Sequence, residues 1–170
     1  MDDVRDMMNV SENQANAVTS CAELDDLDRN IIWELQASGR KSSKEIGQKL
    51  KVSDGTIRYR MNKMLKSGLL KVTASINPFV FRDGILAVIG MQLEKRTHAQ
   101  TMSKISKISG VLSVSNVTGT YDLLVEAFFE SRRELQYFLV DELSQIGGIN
   151  KTDTFIVLDS LKKWVELPRL

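Results

Sequence analysis

The chain has 170 residues, 42% of them hydrophobic and 26% charged, with a formal net charge of +1, proportions typical of a globular protein in water. No apolar run approaches the roughly 20 residues of a membrane span, no signal peptide is evident, and the single cysteine excludes an intrachain disulfide and favours a cytoplasmic protein. One cysteine and one histidine are too few for a Cys/His zinc site, and no phosphate loop or nucleophile-and-base pair is evident, so we expect no metal, no cofactor and no catalytic residue.

Residues 1–24 are predicted to form a flexible acidic tail. They hold five acidic residues against Arg5, a net charge of −4, and they have no sustained apolar stripe, a pattern typical of disorder. The alternative is that Val4, Met7 and Met8 form a short helix that docks on a partner subunit.

A first helix is predicted to begin after Asp25, its N-cap, and to continue to about Ser38. Asp26 and Asp28 suit the positive N-terminal end of a helix, and Gly39 ends it. Apolar residues recur at helical spacing and predict a buried stripe of Leu27, Ile31, Ile32 and Leu35.

The next stretch predicts two short helices joined by a tight turn. Ser42 and Glu45 form an S-x-x-E capping box, Lys51-Val52 is the turn, and Ser53 is a good N-cap for the second helix. Gly47 lowers helix propensity, so we expect a close approach of the two helices there. The buried stripe of the second helix is predicted to be Ile57, Met61, Met64 and Leu65, with Gly68 as its stop signal.

Positive charge is concentrated on this two-helix unit, because residues 40–71 hold ten basic and two acidic residues, a net charge of +8. An ordinary helical hairpin with a solvated basic face is the alternative, but such a concentration is the electrostatic footprint of phosphate binding. The layout is that of a helix-turn-helix, whose second helix enters the major groove of double-stranded DNA. The predicted DNA-binding set, with Arg40 and Lys44 on phosphates, is Arg40, Lys44, Ser53, Thr56, Arg58, Tyr59, Arg60, Asn62 and Lys63.

After the second helix, Val72 and Thr73 favour a strand, which would be a wing or an arm leading to the next domain. Asn77-Pro78 breaks that strand. The predicted organisation is therefore a winged helix-turn-helix domain over 25–76, a hinge over 77–84 and a second domain over 85–170.

The second domain is predicted to have the order strand-helix-strand twice. Its helices open with capping boxes at Thr97 and Ser131 and end at glycines, and Gly119-Thr120 predicts a tight turn between the two middle strands. This βαββαβ order is ferredoxin-like, so the predicted fold class is α+β. The predicted strands cover residues 85–93, 111–118, 121–129 and 152–161.

Two of these strands are apolar on both faces. Two helices cover only one face of a four-stranded sheet, yet residues 123–125 and 155–158 are apolar throughout. An isolated domain would expose a large apolar patch, so we expect a second copy of the sheet to cover it by two-fold symmetry.

Four stretches resemble, in the right order, the Lrp/AsnC family of leucine-responsive and asparagine-responsive "feast/famine" transcription regulators. LDDLDRNIIWEL from Leu24 is similar to the family's LDxxDrxILxxL, and residues 39–70 are similar to its helix-turn-helix pattern. GTYDLLVEAF from Gly119 resembles its G-x-yD-ll, and TDTFIVL from Thr152 resembles its T-x-T-x-ivl. The resemblance implies a DNA-binding regulator with a winged helix and a ferredoxin-like effector domain, a homodimer that assembles into an octamer, and an amino-acid effector between dimers.

Carried over by position, the resemblance also implies an effector site. A carboxylate can pair with an α-ammonium group, and turn amides with threonine hydroxyls can hold an α-carboxylate. We expect Asp122 to be solvated and to matter more to effector binding than to folding. The alternatives are a plain hairpin turn and ordinary strand propensity. The implied effector-binding set is Gly119, Thr120, Tyr121, Asp122, Thr152 and Thr154.

Two positions depart from the family pattern. Lys51 stands where many helix-turn-helix turns have glycine, which predicts a slightly strained turn. Asp54 and Gly55 replace the usual small or proline residues at the start of the second helix, which predicts a different preferred operator.

Two rival functions remain from the sequence. One is an effector-independent or nucleoid-type DNA-binding protein whose C-terminal domain only oligomerises. The other is a small enzyme on a ferredoxin-like scaffold, against which the missing nucleophile-and-base signature argues.

Overall fold

A computed structural model describes residues 24–94 and 98–167. The predicted acidic tail, apart from Leu24, and the predicted cap at Thr97 lie outside these ranges. The chain divides between Thr73 and Ala74 into two compact units. Within the described ranges we find no helix with both the length and the apolar character needed to cross a lipid bilayer.

The N-terminal unit consists of three helices, α1 (Asp26–Ala37), α2 (Ser43–Leu50) and α3 (Asp54–Lys66). Each begins at the predicted cap. The carboxylate of Asp25 accepts the N–H of Asp28 at 2.9 Å, and Ser42 and Glu45 cap one another reciprocally. The helix-turn-helix prediction is therefore confirmed, and α3 is the second helix of the motif.

One apolar core joins the three helices. Its buried members come from all of them, and side chains of this size contribute about 1.5–3 kcal/mol each when fully buried. The pattern of apolar spacing thus selects the inward face of each helix. The buried core residues are Ile31, Leu35, Ile46, Ile57 and Met64.

The turn between α2 and α3 depends on close backbone contact. A Cβ atom on Gly47 would lie 2.6 Å from the carbonyl oxygen of Val52, closer than any side chain can approach, so the predicted role of this glycine is confirmed. Lys51 has φ 57° and ψ 40°, the left-handed conformation that costs a residue with a side chain about 1 kcal/mol. The strained turn that the sequence predicts is therefore present.

In the C-terminal unit the elements are β1 (Ile85–Leu93), α4 (His98–Ile105), β2 (Val111–Asn116), β3 (Leu123–Phe129), α5 (Arg132–Tyr137) and β4 (Ile149–Ile156). A π-helical turn and a 3-10 turn continue α5 to Gln145. The strands form one antiparallel sheet in the order β2-β3-β1-β4. This is the order of a ferredoxin-like sheet, so the α+β fold class is confirmed.

The helices cover one face of the sheet. Alternate residues of the two central strands point to them, among them Ile89, Met91 and Val125, and Phe138 packs there from the helical side. The opposite face has a smaller core at one end, where Leu86, Phe128 and Val165 are buried. This end of the face is covered by the chain itself, whereas the sequence predicts that a second copy of the sheet covers the apolar patch.

The predicted strand at Val72 and Thr73 is wrong. Residues 70–75 have no helix or strand structure, and the first bridge pairing beyond α3 joins Ile76 to Val165. A strand requires a ladder of paired residues along its length, and the pairing at Ile76 is an isolated bridge. The predicted arm is therefore the better description.

Residues 77–84, predicted as a hinge, belong to the C-terminal unit and pack on its sheet. Pro78 is buried, and the ring of Phe81 contacts that of Phe128 edge-on, with 5.5 Å between centroids. A Cβ atom on Gly84 would lie 2.7 Å from Cβ of Phe81. The division of the chain into two compact units, between Thr73 and Ala74, precedes these residues.

Lys51 gives a direct test of the strained turn. Lys51→Gly should raise the free energy of unfolding of the N-terminal unit by about 1 kcal/mol, because glycine adopts this conformation without steric cost. Chemical denaturation measures the change. The matched control is Lys51→Ala, which removes the same charge but keeps the strain and should not stabilise. Equal stabilisation by both variants would assign the gain to charge.

Candidate nucleic-acid interface and effector loop

The outward face of α3 holds a stripe of exposed polar side chains. Arg58 is 66% exposed and Tyr59 is 67% exposed, and Asn62 and Lys63 follow one turn later, both exposed. Residues four apart lie above one another on a helix, so these four form a continuous surface. It offers a guanidinium, a phenol, an amide and an ammonium group to a ligand.

The N-terminal turn of α3 is fixed by its own hydroxyls. The side chain of Ser53 accepts the N–H of Thr56 at 3.1 Å, and the two hydroxyl oxygens lie 2.8 Å apart. Of these two residues of the predicted set, Ser53 is therefore the N-cap and Thr56 is its partner in the first turn. Next to them, the carboxylate of Asp54 lies 3.2 Å from the guanidinium of Arg58.

Arg60, also in the predicted set, lies elsewhere. Its guanidinium is 2.5 Å from the carboxylate of Asp25 and 3.3 Å from that of Asp28, and it is only 28% exposed. These ion pairs tie α3 to the start of α1, and the hydrogen bonds from the Asp28 amide and from Arg60 lower the pKa of Asp25. We therefore leave Arg60 out of the candidate interface.

Two more of the basic residues are engaged in structure. The nearly buried carboxylate of Glu34 on α1 accepts Lys41 and Lys49, each at 2.5 Å. These two ammonium groups, Lys41 first, hold the pKa of Glu34 below its ordinary value. The positive charge predicted for this unit is thus partly neutralised within it.

Arg40 and Lys44 are exposed, as their predicted role requires. Lys44 also lines an open groove of about 550 Å³ at the elbow between α2 and α3, together with Lys51 and Asp54. The groove lies beside the N-terminus of α3, where unpaired backbone N–H groups and the helix dipole favour an anion.

In the C-terminal unit the predicted effector loop lies between β2 and β3. Gly119 has φ 130°, and the N–H of Val117 donates to the carbonyl of Asp122 at 3.1 Å. The connection therefore spans residues 117–122, and the two-residue tight turn predicted at Gly119-Thr120 is wrong. Tyr121 and Asp122, predicted to begin the strand, lie before β3.

Asp122 anchors this loop to the end of β1. Its carboxylate accepts the N–H of Leu93 at 2.8 Å, and its own N–H donates to the carbonyl of Met91 at 2.9 Å. Gln92 adds a bond from its side-chain amide to the carbonyl of Thr120 at 2.9 Å. The expectation of a solvated Asp122 is wrong, because the carboxylate accepts a backbone N–H.

Tyr121 lies flat over Gly90, on the sheet face opposite the helices. A Cβ atom on Gly90 would be 2.7 Å from the ring, so only glycine leaves room. The phenol donates to Asp153 at 3.1 Å, and Lys151 pairs with the same carboxylate at 2.8 Å. Burial, and then Asp153, raises the pKa of Tyr121, whereas Lys151 lowers the pKa of Asp153.

Thr152 and Thr154 do not meet Tyr121 within one chain. They stand opposite Met91 and Ile89 in the sheet and so point to the helix-covered face, although both are exposed on the edge strand. Asp153, between them, points to the other face. The sequence prediction did not include Asp153, Lys151 or Gln92 among the residues near Tyr121. The signal that could have indicated Asp153 and Lys151 was the alternation of side chains along a strand, which places them on the face opposite to Thr152 and Thr154.

In the part of the chain that the structure describes, no three His, Cys, Asp or Glu side chains are grouped so that they could hold a metal ion.

Comparison with known proteins places these features in a family. Residues 24–71 match a model of winged helix-turn-helix DNA-binding domains, and residues 86–166 match a model of the Lrp/AsnC ligand binding domain. An uncharacterized HTH-type transcriptional regulator of Pyrococcus furiosus is 40% identical over 142 residues, which cover 83% of this chain and 95% of the relative. The chain belongs to the Lrp/AsnC family of transcription regulators.

Other relatives agree with this assignment. The HTH-type transcriptional regulator FL11 of Pyrococcus abyssi is 34% identical, over 85% of this chain and 96% of its own. AsnC of E. coli has a TM-score of 0.65 and 26% identity, over 81% of this chain and 94% of its own. A transcriptional regulator from Neisseria meningitidis, solved as a complex with L-Met, has a TM-score of 0.67 and 26% identity, over 83% and 94%.

The present Lrp/AsnC protein is thus a transcription regulator with a DNA-binding helix-turn-helix unit and a ligand-binding unit. The family is one of regulatory DNA-binding proteins.

Glu34 predicts how acid affects the N-terminal unit. Its lowered pKa means that its stabilising contribution is present above the ordinary value of 4.5 and is lost as pH falls through the lower folded value. Glu34→Gln should therefore lower the melting temperature at pH 7 and flatten its decline below pH 4.5, measured by thermal melting across pH.

The control for that experiment is Asp26→Asn, which removes an exposed carboxylate from the same helix. It should keep the acid-dependent decline of the parent. An unchanged decline in Glu34→Gln would mean that other carboxylates govern acid stability.

Proposed function

We propose that the regulator reads double-stranded DNA with the exposed stripe of α3 in the major groove. The observation that carries this proposal is the exposure of Arg58, Tyr59, Asn62 and Lys63 on one face of the second helix of the motif. Arg58 suits the acceptor pair of a guanine, and Asn62 suits the donor and acceptor of an adenine. Arg40 and Lys44 contact phosphates, and the capped turn at Ser53 and Thr56 fixes the start of the helix.

Single substitutions separate base contacts from phosphate contacts. Arg58→Ala should cost about 1–3 kcal/mol on a preferred duplex and relax the choice of one base pair. Lys44→Ala should weaken binding to all duplexes alike and reduce the salt slope by about one. Affinities come from fluorescence anisotropy on a duplex enriched from a random pool, at several salt concentrations.

Lys104→Ala is the matched control, because it removes an exposed positive charge from the C-terminal unit. It should leave both the affinity and the salt slope as in the parent. Parent-like binding by Arg58→Ala and Lys44→Ala would remove α3 and α2 from the interface.

The second part of the proposal is an amino-acid effector at the loop formed by Gly119, Thr120, Tyr121 and Asp122, with Thr152 and Thr154 from β4. The match to a ligand-binding domain supports a ligand, and the Neisseria relative in complex with L-Met supports its class. Carboxylates would receive the α-ammonium group, and the loop amides with threonine hydroxyls would receive the α-carboxylate.

We further propose that subunits share this site. The threonines and Tyr121 lie on opposite faces of one sheet, so a single chain does not bring them together. A homodimer that assembles further, to an octamer, would bring a loop of one subunit to the strand of another. Exposed apolar side chains support association, with Leu158 and Leu161 each 90% exposed.

Because its ligand is chromosomal DNA, we place the protein in the cytoplasm.

One observation favours the alternative of a regulator without an effector. The carboxylate of Asp122 already binds the Leu93 amide, and the Tyr121 phenol already binds Asp153. These two polar groups of the loop thus have partners within the chain, and the C-terminal unit would then serve assembly alone.

Asp122 decides between these two possibilities. Asp122→Asn keeps an acceptor for the Leu93 amide but removes the charge, so it should fold as the parent does. It should lose the charge-assisted bond to an amino acid, which typically contributes ~1.5–3 kcal/mol, and bind about ten- to a hundred-fold more weakly. The measurement is calorimetric titration of the twenty amino acids, with melting curves and sedimentation alongside.

Two further variants complete the experiment. Asp122→Ala should lower the melting temperature, since the Leu93 amide loses its acceptor, and Thr118→Val, an exposed threonine outside the proposed set, should bind as the parent does. If no amino acid binds the parent, the effector-independent alternative is correct.

A further inference from the structure

A carboxylate lies on the surface that is proposed to face DNA. Asp54 is in the first turn of α3, 57% exposed, and its Oδ2 is 3.2 Å from a terminal nitrogen of Arg58. Only one other acidic residue occurs between residues 40 and 71, Glu45, and its carboxylate caps the N–H and hydroxyl of Ser42. Asp54 is therefore the acidic side chain of this stretch that stands next to the proposed base-reading residues.

A negative charge at this position opposes binding to any DNA. Phosphates repel it, and docking removes water from it without returning a bond unless a donor is in contact. An exposed pair four residues apart adds little to folding stability, and the helix dipole would favour a carboxylate here with or without Arg58. The effect of the carboxylate should therefore appear in the choice among DNA sequences.

The geometry of the pair determines what Arg58 can do. Arginine has five N–H donors in a fixed fork, and two of them suffice for a guanine. Asp54 occupies one terminal nitrogen from the N-terminal side and leaves the other donors free. This contact restricts the orientations of the guanidinium relative to the helix, whereas an arginine without it is free to turn toward phosphates.

We propose that Asp54 is a specificity-determining residue that acts through Arg58. It positions the guanidinium for a guanine, and it penalises every site at which Arg58 finds no base acceptor and the carboxylate remains near phosphates. The inference rests on the proposed DNA-binding role of α3. It predicts that loss of the charge strengthens non-specific binding while it weakens discrimination.

The test uses the full chain and a pool of random double-stranded DNA. The duplex enriched by the parent, the same duplex with its Arg58-dependent base pair replaced, and a scrambled duplex are then titrated at several salt concentrations. The proteins are the parent, Asp54→Asn, Arg58→Ala and the double variant. The Arg58-dependent pair is the one at which Arg58→Ala no longer discriminates.

For Asp54→Asn we expect tighter binding to the scrambled duplex, a salt slope steeper by about one, and a roughly tenfold or greater fall in the ratio of specific to scrambled affinity. In the Arg58→Ala background the same change should leave that ratio unaltered. A helix-capping or dipole role of Asp54 would instead change the melting temperature, and it would do so equally with Arg58 and with Ala at position 58. It would not make the affinity ratio depend on Arg58.

Two variants keep the test decisive. Asp54→Ser removes the charge with a residue that suits a helix N-terminus and should reproduce the result if Asp54→Asn folds poorly. Asp26→Asn makes the same charge change on α1 and should leave the ratio as in the parent. An unchanged ratio in Asp54→Asn and Asp54→Ser, or an equal change in both backgrounds, overturns the inference. A parent that enriches no sequence overturns the proposed function and this inference with it.

Discussion

The DNA-reading unit depends on the contact between Gly47 and the carbonyl of Val52. With 2.6 Å between that oxygen and the position of a Cβ atom, α2 and the turn approach as closely as backbone allows. This approach sets the position of Ser53, and the Ser53 cap sets the first turn of α3. The exposed stripe of α3 is thus directed by a contact that contains no polar side chain.

The charged side chains of this unit fall into two groups: some pair with one another between helices, and others stay exposed to solvent. Glu34 with Lys41 and Lys49, and Asp25 and Asp28 with Arg60, hold the helices together. Arg58, Lys63, Arg40 and Lys44 remain exposed. Basic residues next to the little-exposed carboxylates of Glu34 and Asp28 pair with them, because a carboxylate with little access to water needs a partner.

The C-terminal unit combines a regular sheet with a loop whose polar groups are bonded inward. Alternation of side chains places Asp153 with Gly90 and Tyr121 on one face and the two flanking threonines on the other. Asp122 closes the end of β1 through the Leu93 amide. A ligand at this loop would replace or extend bonds that already exist, which gives binding a means to change the loop's stability.

Much of the molecule was determined by the sequence itself. Caps at Asp25, Ser42 and Ser53 fixed where the three helices begin, because these signals are local, and the succession of strands and helices predicted the ferredoxin-like order. Tertiary structure alone decided which basic side chains are free, since Arg60 meets Asp25 across 35 positions of sequence. It likewise decided the partner of Asp122 and the packing of Phe81, because a distant residue supplies the contact in each case and no local pattern encodes it.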